Sequence, residues 1–216
     1  MNFLHWKICH YDWALQKMLE LVEARINDTI CDTIIFTEHF PVITLGRNKT
    51  ANSLLVSKAF LQEQAIDVHE ISRGGDITYH GPGQLVIYPI VKLEAGHRDI
   101  HHVMRLLEEI IIVSCQAFNV HLQTLDGLTG AWKIEKGTRN KKIASIGLGF
   151  KKWVSYHGIG INVSTNLKHF EYMNPCGLSN MNMENLEALT SQKIEMSKLI
   201  ETLQINFKIL EKYLNK

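Results

Sequence analysis

The segment from Arg73 to Leu85 constrains this chain more than any other, because glycine and proline set so much of its backbone. It holds four of the fourteen glycines and one of the four prolines of the chain, in the order Arg73-Gly74-Gly75-Asp76-Ile77-Thr78-Tyr79-His80-Gly81-Pro82-Gly83-Gln84-Leu85. Glycine serves where the backbone needs a positive φ or a close approach, and proline fixes φ. Two glycine pairs around a Thr-Tyr-His core therefore predict that the segment lines a ligand-binding pocket. An ordinary tight turn with a bulge is the alternative.

Two common phosphate-binding loops do not fit this segment. Gly81-Pro82-Gly83 is followed by Gln84, so the segment is not G-x-G-x-x-G, and the chain contains no Gly-Lys-Ser/Thr. A phosphate cradle is therefore not predicted.

Composition limits the class of protein. The 216 residues are 45% hydrophobic and 21% charged, which is typical of one soluble globular domain. The formal charge of +1 gives no reason to expect a nucleic-acid or membrane partner. No apolar run approaches the roughly 18 residues that span a bilayer, and the first residues lack the layout of a signal peptide.

The cysteines and histidines indicate the compartment and argue against a metal site. The four cysteines are scattered along the chain and form no C-x-x-C pair; they are Cys9, Cys31, Cys115 and Cys176. We therefore expect the protein to work in a reducing cytoplasm. The pair His97 and His101 lacks the Glu of H-E-x-x-H and has no third ligand nearby. We expect no metal.

The apolar spacing predicts an α+β fold. Helices are expected over Tyr11 to Ile26, after a Ser57 cap to Ala65, over Val103 to Phe118, and as one long helix from Met196 to Leu214. Strands are expected over residues 33–37, 42–47, 67–72, 85–91, 121–125, 130–134, 142–150 and 153–163. Helices mixed with antiparallel-looking strands favour α+β over alternating βαβ units.

Cys176 is the cysteine whose surroundings favour chemistry. Pro175 precedes it and Gly177 follows it, outside any periodic segment, whereas Cys115 falls on the apolar stripe of a helix. A cysteine on a sharply turned loop is a candidate reactive thiol, and an inert loop cysteine is the alternative.

A nucleophilic thiol needs a cation or base, since its pKa of about 8.5 leaves little thiolate at neutral pH. The candidates are Lys142, His80 and His157. Strand alternation predicts that Lys142 shares a face with Ala144 and Ile146, which would desolvate the amine and lower its pKa. The alternative is that Lys142 only begins an edge strand.

Together these residues resemble a known family. The segment Arg73 to Leu85 is similar to the signature of the lipoyl(octanoyl) transferases of lipoate synthesis. Further matches follow in the family's order over roughly residues 35 to 180: Glu38-His39 through Thr44-Leu45-Gly46, Lys142-Ile143-Ala144-Ser145-Ile146-Gly147, Tyr156-His157-Gly158 with Asn162, and Pro175-Cys176-Gly177.

The resemblance implies a fold, site residues and partners. The fold is that of biotin and lipoate protein ligases, a central mixed sheet flanked by helices, in one catalytic domain over residues 1–216. Cys176 is implied as the nucleophile that takes octanoyl as a thioester, and Lys142 as the group that lowers its pKa and acts as acid and base. The implied acyl pocket consists of Arg73, Gly74, Gly75, Asp76, Ile77, Thr78, Tyr79, His80, Ser145, Ile146, Gly147, Gly158, Ile159 and Gly160.

The implied donor is octanoyl-acyl carrier protein, and the implied acceptors are lipoyl domains of 2-oxoacid dehydrogenases and the glycine cleavage H protein. No cofactor is implied, and we expect a cytoplasmic monomer. Small residues, Gly75, Ala144, Gly147 and Gly158, would keep the acyl slot open, so enlarging Gly147 or Gly158 should shorten the preferred acyl chain. Residues 136–142 and 151–152 are candidate docking sites for the carrier.

Two other functions compete with this one. An ATP-dependent lipoate or biotin ligase would share the glycine segment but would not need a cysteine nucleophile. A carrier-binding module without activity would be expected to lack Cys176 or Lys142, and both are present.

Overall fold

Two β-sheets form the framework of this computed structural model, which describes residues 1–135, 137, 139–174 and 182–215. The larger sheet has the order β1-β2-β6-β10-β9-β8-β7, and a short β11 pairs with β9. Its strands are β1 (Asn2–His5), β2 (Thr33–Thr37), β6 (Gln84–Ile90), β7 (Gln123–Leu125), β8 (Leu128–Lys133), β9 (Lys141–Lys151), β10 (Val154–Asn162) and β11 (Asn182–Met183). The sheet is mixed, because β1 runs parallel to β2 and β11 runs parallel to β9, while the other pairs are antiparallel.

The smaller sheet has three strands in the order β4-β3-β5. They are β3 (Val42–Leu45), β4 (Asp67–Glu70) and β5 (Ile77–His80). A short helix, α2 (Lys58–Glu63), packs beside β4, and the 3-10 helix Leu167–Tyr172 packs beside β5. These elements enclose their own apolar cluster around Ile43, Leu61 and Tyr79.

Helices cover both faces of the larger sheet. Helix α1 (Tyr11–Ile26) buries Ala14, Met18 and Val22 against β6 and β10, and their spacing of three to four residues puts them on one helical face. On the other face lie α3 (Ile100–Gln116), α4 (Leu186–Thr190), α5 (Met196–Asn206) and α6 (Lys208–Leu214). Cys115 is fully buried there, as its position on the α3 stripe predicted.

The predicted α+β class, with a central mixed sheet flanked by helices, is confirmed. The Ser57 cap is also confirmed, since its hydroxyl accepts a hydrogen bond from the Phe60 N–H. The single long C-terminal helix is wrong: two helices meet at Phe207. The Phe207 ring is buried near Phe3 and Phe36, so the junction between the two helices is packed into the core.

The glycine-rich segment also differs from expectation. Residues Ile77 to His80 form β5 and pair with β3, although no strand was expected between residues 72 and 85. Ile77 and Tyr79 are buried on one side of β5, whose apolar alternation was hidden by the flanking glycines. No helix in the described ranges is long and apolar enough to cross a bilayer.

Candidate active site

A cavity of about 90 Å³ lies where the smaller sheet meets β9 and β10 of the larger one. Its lining includes every residue predicted for the acyl pocket except Tyr79: Arg73, Gly74, Gly75, Asp76, Ile77, Thr78, His80, Ser145, Ile146, Gly147, Gly158, Ile159 and Gly160. The fold therefore brings three separate sequence segments to one cavity. Tyr79 points elsewhere, since its buried ring packs edge-on against His169 and Phe170.

Arg73 anchors the glycine segment between the two sheets. Its Nη2 donates to the Thr44 carbonyl oxygen at 2.8 Å and its Nη1 donates to the Gly74 carbonyl oxygen at 3.0 Å. The Gly74 N–H donates to the Leu148 carbonyl oxygen on β9 at 2.8 Å. Gly75 adopts φ +80°, a conformation that side chains other than glycine rarely take. The first glycine pair thus lets the segment lie against β9 and turn into β5.

Lys142 lies on the wall of the same cavity, but not for the reason that simple alternation gives. The register between β8 and β9 shifts, because Ala131 is opposite Ala144 whereas Trp132 is opposite Lys142. Two steps on β9 therefore match one step on β8, which is the geometry of a β-bulge. Ala144 belongs to the buried core and does not line the cavity, whereas Ile146 packs against that core and also lines the cavity. The predicted face shared by Lys142 and Ala144 is therefore wrong.

Cys176 lies outside the described residues, so its position relative to Lys142 stays a prediction. The chain on either side is described. The Asn174 N–H donates to the Ser53 carbonyl oxygen at 2.8 Å. Met183 pairs with Lys142 and lines the cavity, and the Glu184 N–H donates to the Lys142 carbonyl oxygen at 3.0 Å.

A cluster of histidines and tyrosines surrounds another part of the cavity. His39 Nδ1 lies 3.1 Å from the Cys9 carbonyl oxygen and its Nε2 lies 2.6 Å from Tyr88 Oη. A carbonyl can only accept, so Nδ1 donates to it and Nε2 accepts from the Tyr88 hydroxyl. His39 is therefore held neutral, and burial lowers its pKa to about 4.

His80 is tied to a chain of amides that runs towards Lys142. Gln84 Nε2 donates to the Asn162 Oδ1 at 2.9 Å, which leaves Gln84 Oε1 to accept from His80 Nδ1 at 2.6 Å. Asn162 Nδ2 then donates to the Glu184 carbonyl oxygen at 3.3 Å. Gln84 and Asn162 both fall in the segments that resemble the family. Their hydrogen bonds link the glycine segment to Glu184, whose N–H bonds to Lys142 of β9.

His157 has an unusual backbone for a strand residue. Its φ is +59°, and its N–H lies 3.1 Å from Met18 Sδ. Its Nδ1 lies 3.4 Å from Tyr11 Oη. Burial, with the charges of Arg73 and Arg47, lowers the pKa of His157 to about 3, and burial lowers that of His80 to about 3. Both rings are therefore neutral at neutral pH.

These three histidines predict that acid destabilises the fold. Their folded pKa values lie below the usual 6.5, so the unfolded chain binds more protons between about pH 6.5 and pH 3. The free energy of unfolding should be highest above pH 6.5 and fall as the pH drops. Urea unfolding at pH 7.5 and pH 5 measures this. His39→Gln should be less sensitive to that change than the native chain, and equal sensitivity would contradict the assignment.

The two basic clusters lie at opposite ends of β9. Lys151 is ten residues from Lys141, about 33 Å along an extended strand, and it is paired with Glu23. The other cluster, at residues 136–142, includes Lys142 itself, although residues 136 and 138 lie outside the described ranges.

Among the described residues, no three His, Cys, Asp or Glu side chains are grouped to hold a metal.

Sequence reasoning missed Tyr11, Tyr88 and Trp132. Tyr11 begins a helix and Tyr88 falls inside a continuous buried strand, so neither has a local signal that separates it from core residues. Trp132 lies in a strand whose register shift brings it opposite Lys142. Their polar atoms could have been suspected only from the need of a buried hydroxyl or indole for a partner.

Comparison with known proteins shows which family the chain resembles. Residues 9–208 match the family model of the lipoyl protein ligase A/B catalytic domain. An octanoyltransferase of Caldicellulosiruptor bescii is 42% identical over 208 residues, which cover 95% of this chain and 89% of the relative. An octanoyltransferase of Acidobacterium capsulatum is 39% identical over 209 residues, which cover 90% of this chain and 85% of the relative.

Solved structures share the fold at low sequence identity. A chain from the structure of a bi-partite lipoate protein ligase and its E2 lipoyl domain from Thermoplasma acidophilum aligns with a TM-score of 0.74 and 14% identity. The alignment covers 97% of this chain and 83% of that chain. A biotin protein ligase from Aquifex aeolicus aligns with a TM-score of 0.57 and 11% identity over 100% of this chain and 72% of that one.

Proposed function

The chain belongs to the lipoyl protein ligase A/B catalytic-domain family and is an acyltransferase of protein lipoylation, and we propose that it transfers octanoyl through a thioester on Cys176. The proposed donor is octanoyl-acyl carrier protein. The proposed acceptors are the lysines of lipoyl domains in 2-oxoacid dehydrogenases and the glycine cleavage H protein. We place the whole activity in one catalytic domain over residues 1–216, acting as a cytoplasmic monomer.

The observation that carries the proposal is the position of Lys142. It lies on the wall of the cavity that also collects the glycine segment, and it pairs with Met183 on the strand that follows the Cys176 segment. A cation beside a cysteine stabilises the thiolate, which is the nucleophile. On this proposal Lys142 is the cation that activates Cys176.

The reaction then proceeds in two exchanges. The Cys176 thiolate attacks the donor carbonyl, the bond from that carbonyl to the carrier sulfur breaks, and the carrier sulfur takes the proton of the Lys142 ammonium and leaves as a thiol. Next the acceptor amine attacks the Cys176 thioester, the bond from carbonyl to Cys176 sulfur breaks, and an amide forms. Lys142 accepts the proton that the amine loses. The first exchange replaces one thioester by another, so it needs no ATP.

The cavity suits an uncharged acyl chain. His80 and His157 line it and are held neutral, and Ile77, Ile146 and Ile159 contribute apolar surface. Burial of an alkyl chain is worth about 0.8 kcal/mol per methylene, so an eight-carbon chain supplies several kcal/mol of binding.

Intact mass spectrometry tests the proposal. We expect the native chain, mixed with octanoyl-acyl carrier protein and no ATP, to gain one octanoyl group, and Cys176→Ala to gain none. Adding a lipoyl domain should remove the adduct and octanoylate the domain, whereas a domain whose acceptor lysine is replaced by arginine should leave the adduct in place. Transfer that occurs only with ATP and free octanoic acid would overturn the proposal in favour of a ligase. An adduct on Cys176→Ala would exclude this nucleophile.

A further inference from the structure

Trp132 lies opposite Lys142 and has no part in the two proposed exchanges. The two residues face each other across β8 and β9, just beyond the register shift. Lys142 Nζ lies 4.9 Å from the centroid of the Trp132 ring. That is within the range at which an ammonium is attracted to the face of an indole. The ring is only 3% exposed, so little water weakens the contact.

Gly130 forms the second wall of the channel that holds the lysine stem. A Cβ at Gly130 would lie 2.9 Å from Lys142 Cε and 2.2 Å from the Ala144 carbonyl oxygen. Its φ of +118° is also unfavourable for other residues. The Gly130 N–H donates at 2.7 Å to Oε1 of Glu108, a fully buried carboxylate on α3. Glu108 of α3 therefore fixes β8 at Gly130, and the missing side chain of Gly130 leaves room for the Lys142 stem.

The indole of Trp132 has a second unusual property. Its Nε1 is buried and has no hydrogen-bond partner among the residues that the structure describes. Buried indole N–H groups usually find an acceptor, so an exception calls for an explanation, of which a catalytic role is one. Packing alone could be served by phenylalanine or leucine, which would leave no donor unpaired. The selection of Trp at this position is better explained by the electron-rich face that it presents to Lys142.

We propose that Trp132 is the positioning residue of Lys142, holding its ammonium beside the cavity and favouring the protonated form. The inference rests on the proposed role of Lys142 as acid and base. An aromatic face stabilises the cation but not the neutral amine, so it delays loss of the proton. In the acylation step the cation then stabilises the Cys176 thiolate, and release of its proton readies the amine to accept one from the acceptor.

Other charged groups lie near Lys142. Arg73 and Asp76 share the cavity, Lys141 on β9 pairs at 3.3 Å with Glu184 just after β11, and the Arg105–Glu108 pair lies beneath Gly130. Replacing Trp132 leaves all of these in place. A change in the pH dependence of transfer can therefore be attributed to the ring.

The test is the pH profile of octanoyl transfer in Trp132→Leu and Trp132→Phe. Lys142 must be neutral only in the second exchange, so that exchange is measured alone, from the chain already acylated on Cys176 to a lipoyl domain, and its rate rises with pH through the pKa of Lys142. Loss of the ring in Trp132→Leu should move this rising limb to lower pH by about 0.5–1 unit. Trp132→Phe keeps a weaker face and should show a smaller shift in the same direction. If the leucine variant does not fold, the phenylalanine variant alone decides.

The chain offers a matched control in Trp153, whose ring lies 5.0 Å from the Arg98 guanidinium and is 37% exposed. Trp153→Leu removes a similar contact far from Lys142 and should leave the profile unmoved. A loss of activity in Trp132→Leu that is equal at every pH would mean a purely structural role and overturn the proposal. Full activity in Lys142→Met would refute the acid and base role of Lys142 on which the inference rests, whereas a native chain that gains no octanoyl adduct would refute the proposed function, so these failures are distinguishable.

Discussion

Replacing Lys142 by methionine is expected to lower octanoyl transfer about 10²–10⁴-fold, the usual contribution of a positioned acid or base. Methionine keeps an unbranched stem that can lie over Gly130 and against Trp132, so the bulge and the cavity wall should persist. The ammonium that would stabilise the thiolate and the amine that would take the acceptor proton are both lost. Transfer to a lipoyl domain at saturating donor measures the overall loss, and intact mass over time measures acylation of Cys176 separately.

Lys141→Met is the matched control for this prediction. Lys141 is the adjacent residue and forms a partly exposed pair with Glu184 at 3.3 Å, but it does not line the cavity. A partly exposed ion pair contributes only about 0–1 kcal/mol, so transfer should change little. Equal losses in the two variants would mean that general positive charge near the cavity matters, not an acid and base at Lys142. Retention of most activity in Lys142→Met would refute its role directly.

Lys142 could be chosen from the sequence, but the face on which it lies could not. Regular alternation places Lys142 with Ala144, whereas the bulge places it with Ser145 and Gly147 on the cavity side. A bulge depends on how β8 pairs with β9. The apolar pattern of β9 alone does not predict its register with β8, so it could not predict the bulge. Gly130 gives a partial signal, since an isolated glycine in a strand often marks a bulge or a close approach.

The membership of the cavity was more predictable than its shape. Short segments around Arg73, Ser145 and Gly158 have distinctive sequences, and the fold brings all three together. The Tyr88 hydroxyl contacts His39 across 49 residues and Tyr11 contacts His157 across 146, so these pairs exist only through the tertiary fold. Helix and strand positions followed local spacing well, while the contacts of Phe207 with Phe3 of β1 and Phe36 of β2 join residues far apart in the chain.

Gly158→Ala is expected to destabilise the fold by about 3 kcal/mol or more, at the upper end of the range for overpacking. A Cβ at Gly158 would lie 2.1 Å from the Ile87 carbonyl oxygen and 2.7 Å from Pro89 Cδ on β6. The first of these is a backbone atom inside the larger sheet, so it cannot rotate away as a side chain would. Relief requires β6 and β10 to separate. Urea unfolding at pH 7.5 measures the change through a lower midpoint.

This expectation replaces the one drawn from the sequence, in which a larger residue at 158 shortens the preferred acyl chain. Gly158 lines the cavity with its backbone, but its missing side chain would point into β6. Gly147 differs, since a Cβ there would meet the Gly74 carbonyl oxygen at 2.9 Å and press on the glycine segment. Gly147→Ala should therefore reduce activity more than stability, relative to Gly158→Ala.

Gly96→Ala is the control for both substitutions, because no atom lies within 4 Å of the position that its Cβ would take. It should leave the unfolding midpoint unchanged or slightly higher, since alanine restricts the unfolded chain. A Gly158→Ala protein as stable as Gly96→Ala, with a preference shifted to shorter acyl chains, would show that the added methyl reaches the cavity after all. Because the added methyl would meet the Ile87 carbonyl oxygen, we expect Gly158→Ala to be less stable than Gly96→Ala or unfolded. The fraction that remains active should keep the acyl-chain preference of the native protein.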